Sequence, residues 1–143
     1  MIRKVDHLGI AVESLEAGLA IWRDRLGLEP SHEETVADQG VRTAFLPLGS
    51  IRLELLEPTG PDSPVGRFLS RRGPGFHHIC FLVDDLDAAL ESLDREGVRL
   101  VDREPRLGAE GCRVAFLHPS STGGMLVELK EPAVDRPAPE ASR

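Results

Sequence analysis

Alternation of apolar and polar residues predicts a strand over residues 4–12, and helical spacing follows it directly. Apolar residues then recur at intervals of four, three and four, which predicts a helix with one buried face formed by Leu15, Leu19, Trp22 and Leu26. Ser14 is its expected N-cap, and Gly27 ends it. Three short extended segments follow, over Leu28–Val36, Val41–Leu48 and Ile51–Glu57. The first part of the chain is therefore a β-α-β-β-β unit.

The same order of elements occurs a second time. Residues 77–90 align without a gap on residues 6–19, at the offset of 71 that places His78 on His7. The predicted elements of this copy are a strand over 75–83, a helix over about 86–96, and strands over Arg99–Asp102, Cys112–His118 and Gly124–Lys130. Such self-similarity indicates two copies of one unit. We predict an α+β fold of two tandem βαβββ units, whose paired half-barrel sheets surround a cavity.

The repeat also sets the expected organisation of the chain. One domain is predicted, with unit one over about 4–58, a linker over about 59–74, unit two over about 75–131 and a mobile tail over 132–143. Inside the linker, Ser63 followed by Pro64 predicts a short helix over about 64–71. This helix carries the only compact basic cluster of the chain, which is expected to be a solvated face: Arg67, Arg71 and Arg72.

Composition narrows the class of protein. The 143 residues are 41% hydrophobic and 29% charged, as in a soluble globular protein, and the net charge of −7 argues against a nucleic-acid partner. No apolar run is long enough to cross a membrane and no signal-peptide core follows Met1, so a cytoplasmic protein with a small-molecule partner is expected. Cys80 and Cys112 are expected to be reduced and buried.

Superimposing the two units brings four residues with metal-binding side chains into equivalent places. His7 falls with His78 on the first strands, and Glu54 falls with Glu128 on the last strands. The leucines on either side of Glu54 pack on a helix, so strand alternation turns the glutamate into the cavity. Two buried glutamates are costly without a cation, and two histidines with two glutamates suit Zn, Co, Ni, Mn or Fe(II).

The alternative is that these are satisfied strand-end histidines and solvent-facing glutamates. Duplication of both partners at once favours the metal site.

Several segments make the chain resemble the vicinal-oxygen-chelate (glyoxalase/bleomycin-resistance/dioxygenase) superfamily over about residues 5–131, and within it the methylmalonyl-CoA epimerases. The more specific segments are DQGV at 38–41, ELLEP at 54–58, GFHHI at 75–79, FLHP at 116–119 and GMLVEL at 124–129. The resemblance implies a divalent ion (Co, Zn, Mn or Ni) held by His7, Glu54, His78 and Glu128. It also implies a homodimer and an acyl-CoA substrate.

The implied reaction is epimerisation at C2 of a methylmalonyl thioester, through a metal-stabilised enolate. The resemblance assigns proton transfer on one face to Glu128. The family has a glutamate base at the position of Asp38, so this shorter side chain is the expected base on the other face; a turn-forming aspartate ahead of Gly40 is the alternative. Two other functions stay open, a glyoxalase I-type lyase acting on a thiol adduct and a binding protein that sequesters a small molecule.

Overall fold

The computed structural model of the protein describes residues 1–133. Its strands are β1 (Ile2–Ala11), β2 (His32–Val36), β3 (Val41–Leu48), β4 (Ile51–Pro58), β5 (Gly75–Val83), β6 (Arg106–Leu107), β7 (Arg113–Leu117) and β8 (Val127–Lys130). Its helices are α1 (Leu15–Leu19), which continues as a π-helical segment over Ala20–Arg25, α2 (Pro64–Arg72) and α3 (Leu86–Arg95). Short 3₁₀ turns cover Ala37–Gln39, Ala109–Gly111 and Pro119–Ser121.

All eight strands belong to one curled sheet, in the order β2-β3-β4-β1-β5-β8-β7-β6. The two units are joined at its middle, where β1 and β5 pair antiparallel, and each of these strands pairs in parallel with the last strand of its own unit. The curl brings the two ends of the sheet together. The contact that shows this is a hydrogen bond of 2.9 Å from the backbone N–H of Glu110 to the Glu34 carboxylate. The predicted α+β class with two half-barrels is confirmed.

Each helix that follows a first strand packs on the outer face of its own half-sheet. α1 buries Leu15 and Leu19 against Leu53 and Leu55 of β4, while α3 packs in a second core that includes Leu129 of β8. Leucines therefore point outward to the helices on both sides of Glu54. The inner face of the sheet is left for polar side chains, which is the alternation expected from the sequence.

Two sequence-based expectations about elements are wrong. Leu26 is 60% exposed, because the chain changes to π-helical geometry at Ala20 and the wider turn rotates the last apolar residue off the buried face. The segment Arg99–Asp102 is not a strand; only Leu100 forms an isolated bridge, and the sheet edge is β6. Backbone hydrogen bonds still join Arg99 to His118 and Val101 to Phe116. The Phe116 N–H, however, donates to the Asp102 side chain at 2.9 Å and not to a backbone carbonyl, so no regular ladder forms.

Other expectations concern the termini and the cysteines. Both cysteines are free and buried. Among the described residues, none of the helices combines the length and the apolar character that crossing a lipid bilayer requires. The predicted mobile tail lies outside the described residues from position 134 onward.

Candidate active site

The seam between β1 and β5 brings together the two repeat-equivalent histidines. The Nε2 atoms of His7 and His78 lie 3.1 Å apart, and both residues are 3% exposed. Their rings meet edge to face, at an interplanar angle of 85°. The two ring nitrogens are therefore directed at one buried point on the inner face of the sheet.

The two glutamates on the last strands reach the same point. Glu54 Oε2 lies 2.8 Å from His7 Nε2. Glu128 Oε1 lies 3.1 Å from His7 Nε2 and 3.4 Å from His78 Nε2. Both glutamate residues are 3% exposed. The structure thus places the four residues singled out from the sequence in one cluster, which we call the His/Glu cluster.

The spacing of these atoms fits a coordinated cation. Ligand atoms of His7, Glu54 and His78 all lie within 4.8 Å of one another. Donors at about 2.1 Å from one ion are separated from their neighbours by about 3.0–3.4 Å, which is close to the contacts of the His/Glu cluster. Glu54 Oε1 is buried and is the one side-chain oxygen or nitrogen among the described buried atoms that has no hydrogen-bond partner. Arg52 Nη2 lies 3.3 Å from it, outside hydrogen-bond geometry.

Without an ion, the cluster is stabilised by a proton. Burial would lower the pKa of His7, but the charge of Glu54 and the hydrogen bond to Asp6 outweigh it and raise this pKa well above 6.5. Burial would raise the pKa of Glu128, yet hydrogen bonds from both histidines hold it well below 4.5. A divalent ion would replace this proton, so its binding should release protons and strengthen as the pH rises.

Two β-bulges orient the histidine rings. The register between β1 and β5 shifts at Asp6 and again at His77, each directly before a histidine of the cluster. Asp6 Oδ2 accepts from His7 Nδ1 at 2.7 Å, and His77 Nδ1 lies 2.9 Å from His78 Nδ1. A bulge turns the extra residue back toward its neighbour, so each ring is held at Nδ1 while Nε2 faces the cluster.

The sequence pattern missed these two supporting residues. Regular strand alternation places His77 on the face opposite His78, whereas the bulge brings it beside the ring of His78. The signal that was available is the offset of 71, which relates Asp6 to His77 as it relates His7 to His78. His77 is also neutral, because burial and the neighbouring His78 lower its pKa to about 4. If His78 Nε2 served as a metal ligand, Nδ1 would carry the ring proton and His77 could accept a hydrogen bond from it.

Gly9 makes room for one of the two rings. It lies opposite His78 in the seam, and a Cβ added to Gly9 would lie 2.2 Å from His78 Cε1. The symmetric position opposite His7 is occupied by Cys80. Only the absence of a side chain at Gly9 allows the His78 ring to lie over the backbone of β1.

Asp38 does not belong to the His/Glu cluster, and its side chain is 51% exposed. It is in the 3₁₀ turn before β3, and Arg106 Nε donates to its carboxylate at 3.0 Å. The neighbouring Gln39, which sequence reasoning did not single out, is the residue of this turn that reaches the site: its Nε2 donates to Glu128 Oε2 at 3.5 Å.

A mostly apolar cavity of about 170 Å³ opens beside the His/Glu cluster. Its polar lining residues are Gln39, His77, His78 and Arg106, and the remainder is apolar, including Val41 and Phe116. A few convergent polar groups among mostly apolar side chains are typical of a small-molecule site.

Comparisons with known proteins agree with this geometry. Residues 6–116 match the sequence profile of the Glyoxalase/Bleomycin resistance protein/Dioxygenase superfamily. The ethylmalonyl-CoA/methylmalonyl-CoA epimerase of Cereibacter sphaeroides is 41% identical over 133 residues, which are 92% of this chain and 99% of that protein.

Two solved structures extend the likeness to the fold. The methylmalonyl-CoA epimerase of Mycobacterium tuberculosis superimposes with a TM-score of 0.88 at 39% identity, over 93% of this chain and 90% of that one. A methylmalonyl-CoA epimerase in complex with methylmalonyl-CoA and NH4+ superimposes with a TM-score of 0.89 at 41% identity, over 94% of this chain and 97% of that one.

Proposed function

The chain belongs to the Glyoxalase/Bleomycin resistance protein/Dioxygenase superfamily, and from this we propose that it is an epimerase that interconverts (2R)- and (2S)-methylmalonyl-CoA. The observation that carries the proposal is the likeness, at about 40% identity over more than nine-tenths of the chain, to proteins with this activity. The buried His/Glu cluster beside a small apolar cavity supports it, since the reaction needs a stabilised enolate next to a bound acyl group.

We further propose that His7, Glu54, His78 and Glu128 hold a divalent ion, of which cobalt, zinc, manganese and nickel are the candidates. When bound, such an ion supplies Lewis acidity at the thioester carbonyl, which stabilises negative charge as the C2 proton leaves. The orphaned Glu54 Oε1 and the convergence of two imidazole Nε2 atoms support this assignment.

Proton transfer at C2 is assigned to Glu128 and Asp38. Glu128 is buried in the His/Glu cluster and contacts Gln39, which lines the apolar cavity, so this carboxylate can accept a proton from one face of a substrate bound there. Asp38 is ion-paired with Arg106, whose side chain lines the apolar cavity. A substrate carboxylate entering this cavity would compete for Arg106 and release Asp38 as the base on the opposite face.

An isotope-exchange assay tests the function directly. The metal-loaded protein is incubated with either epimer of methylmalonyl-CoA in deuterated water, and deuterium at C2 is followed by mass spectrometry. We expect deuterium incorporation together with epimerisation, and an essentially complete loss of both in Glu128→Ala. A wild-type protein that is loaded with metal and incorporates no deuterium would refute the proposed activity.

The role of Asp38 has a matched pair of variants. Asp38→Asn keeps the size of the side chain but removes its basicity, so exchange from one epimer should fall by about 10²–10⁴-fold. Asp38→Glu restores the reach of the family's residue and should retain exchange. Equal exchange rates in the wild type and Asp38→Asn would refute the role as a base and support the alternative, in which Asp38 only stabilises the turn ahead of Gly40.

The remaining proposals concern assembly and compartment. We propose a homodimer, since β2 and β6 approach each other, within the described residues, only through contacts that involve side chains and remain unpaired edges that a second copy can cover. Light scattering that gives a monomer mass would refute it. We propose the cytoplasm as the compartment. The two free, buried cysteines support it, because reduced thiols persist there.

A further inference from the structure

A groove of about 390 Å³ runs along α2 beside the cavity next to the His/Glu cluster. One wall is α2 itself, and the opposite wall is formed by the start of β5 and the turns before β8. Its side chains combine cations with exposed apolar surface: Arg67, Phe68, Arg71, Arg72, Phe76 and Met125. Phe76 is 48% exposed and Met125 is 43% exposed, which is unusual for side chains of this size.

The three arginines of the groove differ from most other arginines of the protein. Within residues 1–133, no carboxylate forms an ion pair with Arg67, Arg71 or Arg72, whereas eight other arginines are paired: Arg3, Arg23, Arg42, Arg52, Arg95, Arg103, Arg106 and Arg113. In a chain with a net charge of −7, three uncompensated guanidinium groups on one short helix make a local site for anions.

The groove is continuous with the apolar cavity. Pro64, His77 and Leu126 line both of them. The cavity in turn shares Gln39 and His78 with the lining of the His/Glu cluster. A long, narrow molecule can therefore lie with one end at the cluster and the other end among the arginines.

We propose that Arg67, Arg71 and Arg72 bind the phosphate groups of the acyl-CoA substrate. This inference rests on the proposed function. A CoA thioester has its reactive acyl group at one end and its phosphates at the other, and guanidinium groups are suited to bind phosphate through paired hydrogen bonds. Phe76 and Met125 provide apolar surface for the organic part of the molecule between and around the phosphates. The groove thus sets the specificity for the CoA handle, while the cavity receives the acyl group.

A structural role for the same arginines makes a different prediction. Arg71 and Arg72 lie in the last turn of a nine-residue helix, where positive side chains interact favourably with the C-terminal end of the helix dipole. That role predicts a loss of stability when the charges are removed, with no preference for one substrate over another. The experiment therefore needs two substrates that differ only in the phosphates.

The test compares the wild type with the variant Arg67→Gln/Arg71→Gln/Arg72→Gln on methylmalonyl-CoA and on methylmalonyl-pantetheine, which lacks all phosphates. We expect KM for the CoA thioester to rise about 30-fold or more, from roughly three- to tenfold per exposed contact, with kcat unchanged. Kinetics on the pantetheine thioester should not change. The matched control Arg3→Gln/Arg95→Gln/Arg103→Gln removes the same charge from exposed arginines of other elements and should behave as the wild type.

Calorimetric titration with adenosine 3′,5′-bisphosphate gives a readout that does not depend on turnover. The wild type and the control should bind this probe, and the groove variant should bind it at least tenfold more weakly. Equal affinity in all three proteins, or an equal loss on both thioesters, would overturn the assignment. If the wild type turned over neither thioester, the proposed function would be refuted. The titration would still show whether the arginines of the groove bind phosphate groups. Should the triple variant unfold, the three single variants are measured in the same way.

Discussion

Replacing Gly9 by alanine should remove His78 from the cluster while leaving the fold in place. The added Cβ would lie 2.2 Å from His78 Cε1, 2.4 Å from Nδ1 and 2.8 Å from Nε2, so the whole ring is in its path. Ordinary contact begins at 3.4 Å, and the ring must therefore retreat by at least the difference of 1.2 Å. The backbone at Gly9 is not in the left-handed region, so alanine adds no strain of its own there.

The magnitude follows from the tolerance of metal coordination. Ligand distances vary by only about 0.2 Å in well-formed sites, so a shift six times larger removes His78 as a ligand. Metal affinity should fall by about 100-fold or more, at least as much as the loss of an outer hydrogen bond to a ligand costs. Overpacking should lower the free energy of unfolding by about 1–3 kcal/mol, which leaves most of the protein folded.

The assay is a titration of the metal-free variant with Co²⁺, followed by C2 exchange at saturating metal. The matched control is Gly60→Ala, where a Cβ would meet nothing within 4 Å and the backbone is equally ordinary. It should bind metal and exchange as the wild type does. Wild-type affinity and exchange in Gly9→Ala would refute the role of His78 as a ligand.

Three further predictions concern the supporting residues and the ion. Burial alone would raise the pKa of Asp6, but the hydrogen bond from His7 and the charge of Lys130 lower it from 3.8 to about 2. Because the pKa of Asp6 is lower in the folded than in the unfolded protein, its ionisation contributes about 2 kcal/mol to the free energy of unfolding above pH 3.8. This contribution is lost as the pH falls toward 2. Urea unfolding should show the loss in the metal-free wild type and not in Asp6→Asn. His77→Phe keeps a ring against Phe68 but removes the nitrogen beside His78. Co²⁺ should therefore bind about 10- to 100-fold more weakly, while the melting temperature of the metal-free protein is unchanged. An unchanged Kd for Co²⁺ would contradict the role of His77 in positioning His78. Co²⁺ at 100 times its Kd should raise the free energy of unfolding by about 2.7 kcal/mol, and identical melts with Co²⁺ and with a chelator would exclude binding.

The sequence was sufficient to predict the four residues of the His/Glu cluster because each copy of the repeat carries a histidine on its first strand and a glutamate on its last strand. His7 and His78 are related by the same offset as the strands that carry them, and strand alternation alone determines that Glu54 faces inward. The contacts that support the cluster could not be read in this way. The bulges at Asp6 and His77 arise from the pairing of β1 with β5, two strands that are distant in the sequence, and no local pattern encodes their register.

The surroundings of Asp38 show the same limit. Its partner Arg106 comes from the opposite end of the sheet, and the two meet only because the sheet curls. The exposed position of Leu26 has a more local cause, since a π-helical turn replaces the regular spacing from which its burial was predicted. In each case the pattern predicts the element, and a contact between distant segments decides the detail.

The antiparallel seam of β1 and β5 has a consequence for the origin of the site. Such a seam requires two copies of a β-α-β-β-β unit but does not require them on one chain. Two separate identical units related by a twofold axis would already offer two imidazoles and two carboxylates to a shared ion. Fusion of the two copies into one chain would keep the two halves of the site together. It would also allow each copy to acquire substitutions that the other lacks, as Gly9 and Cys80 at equivalent positions illustrate.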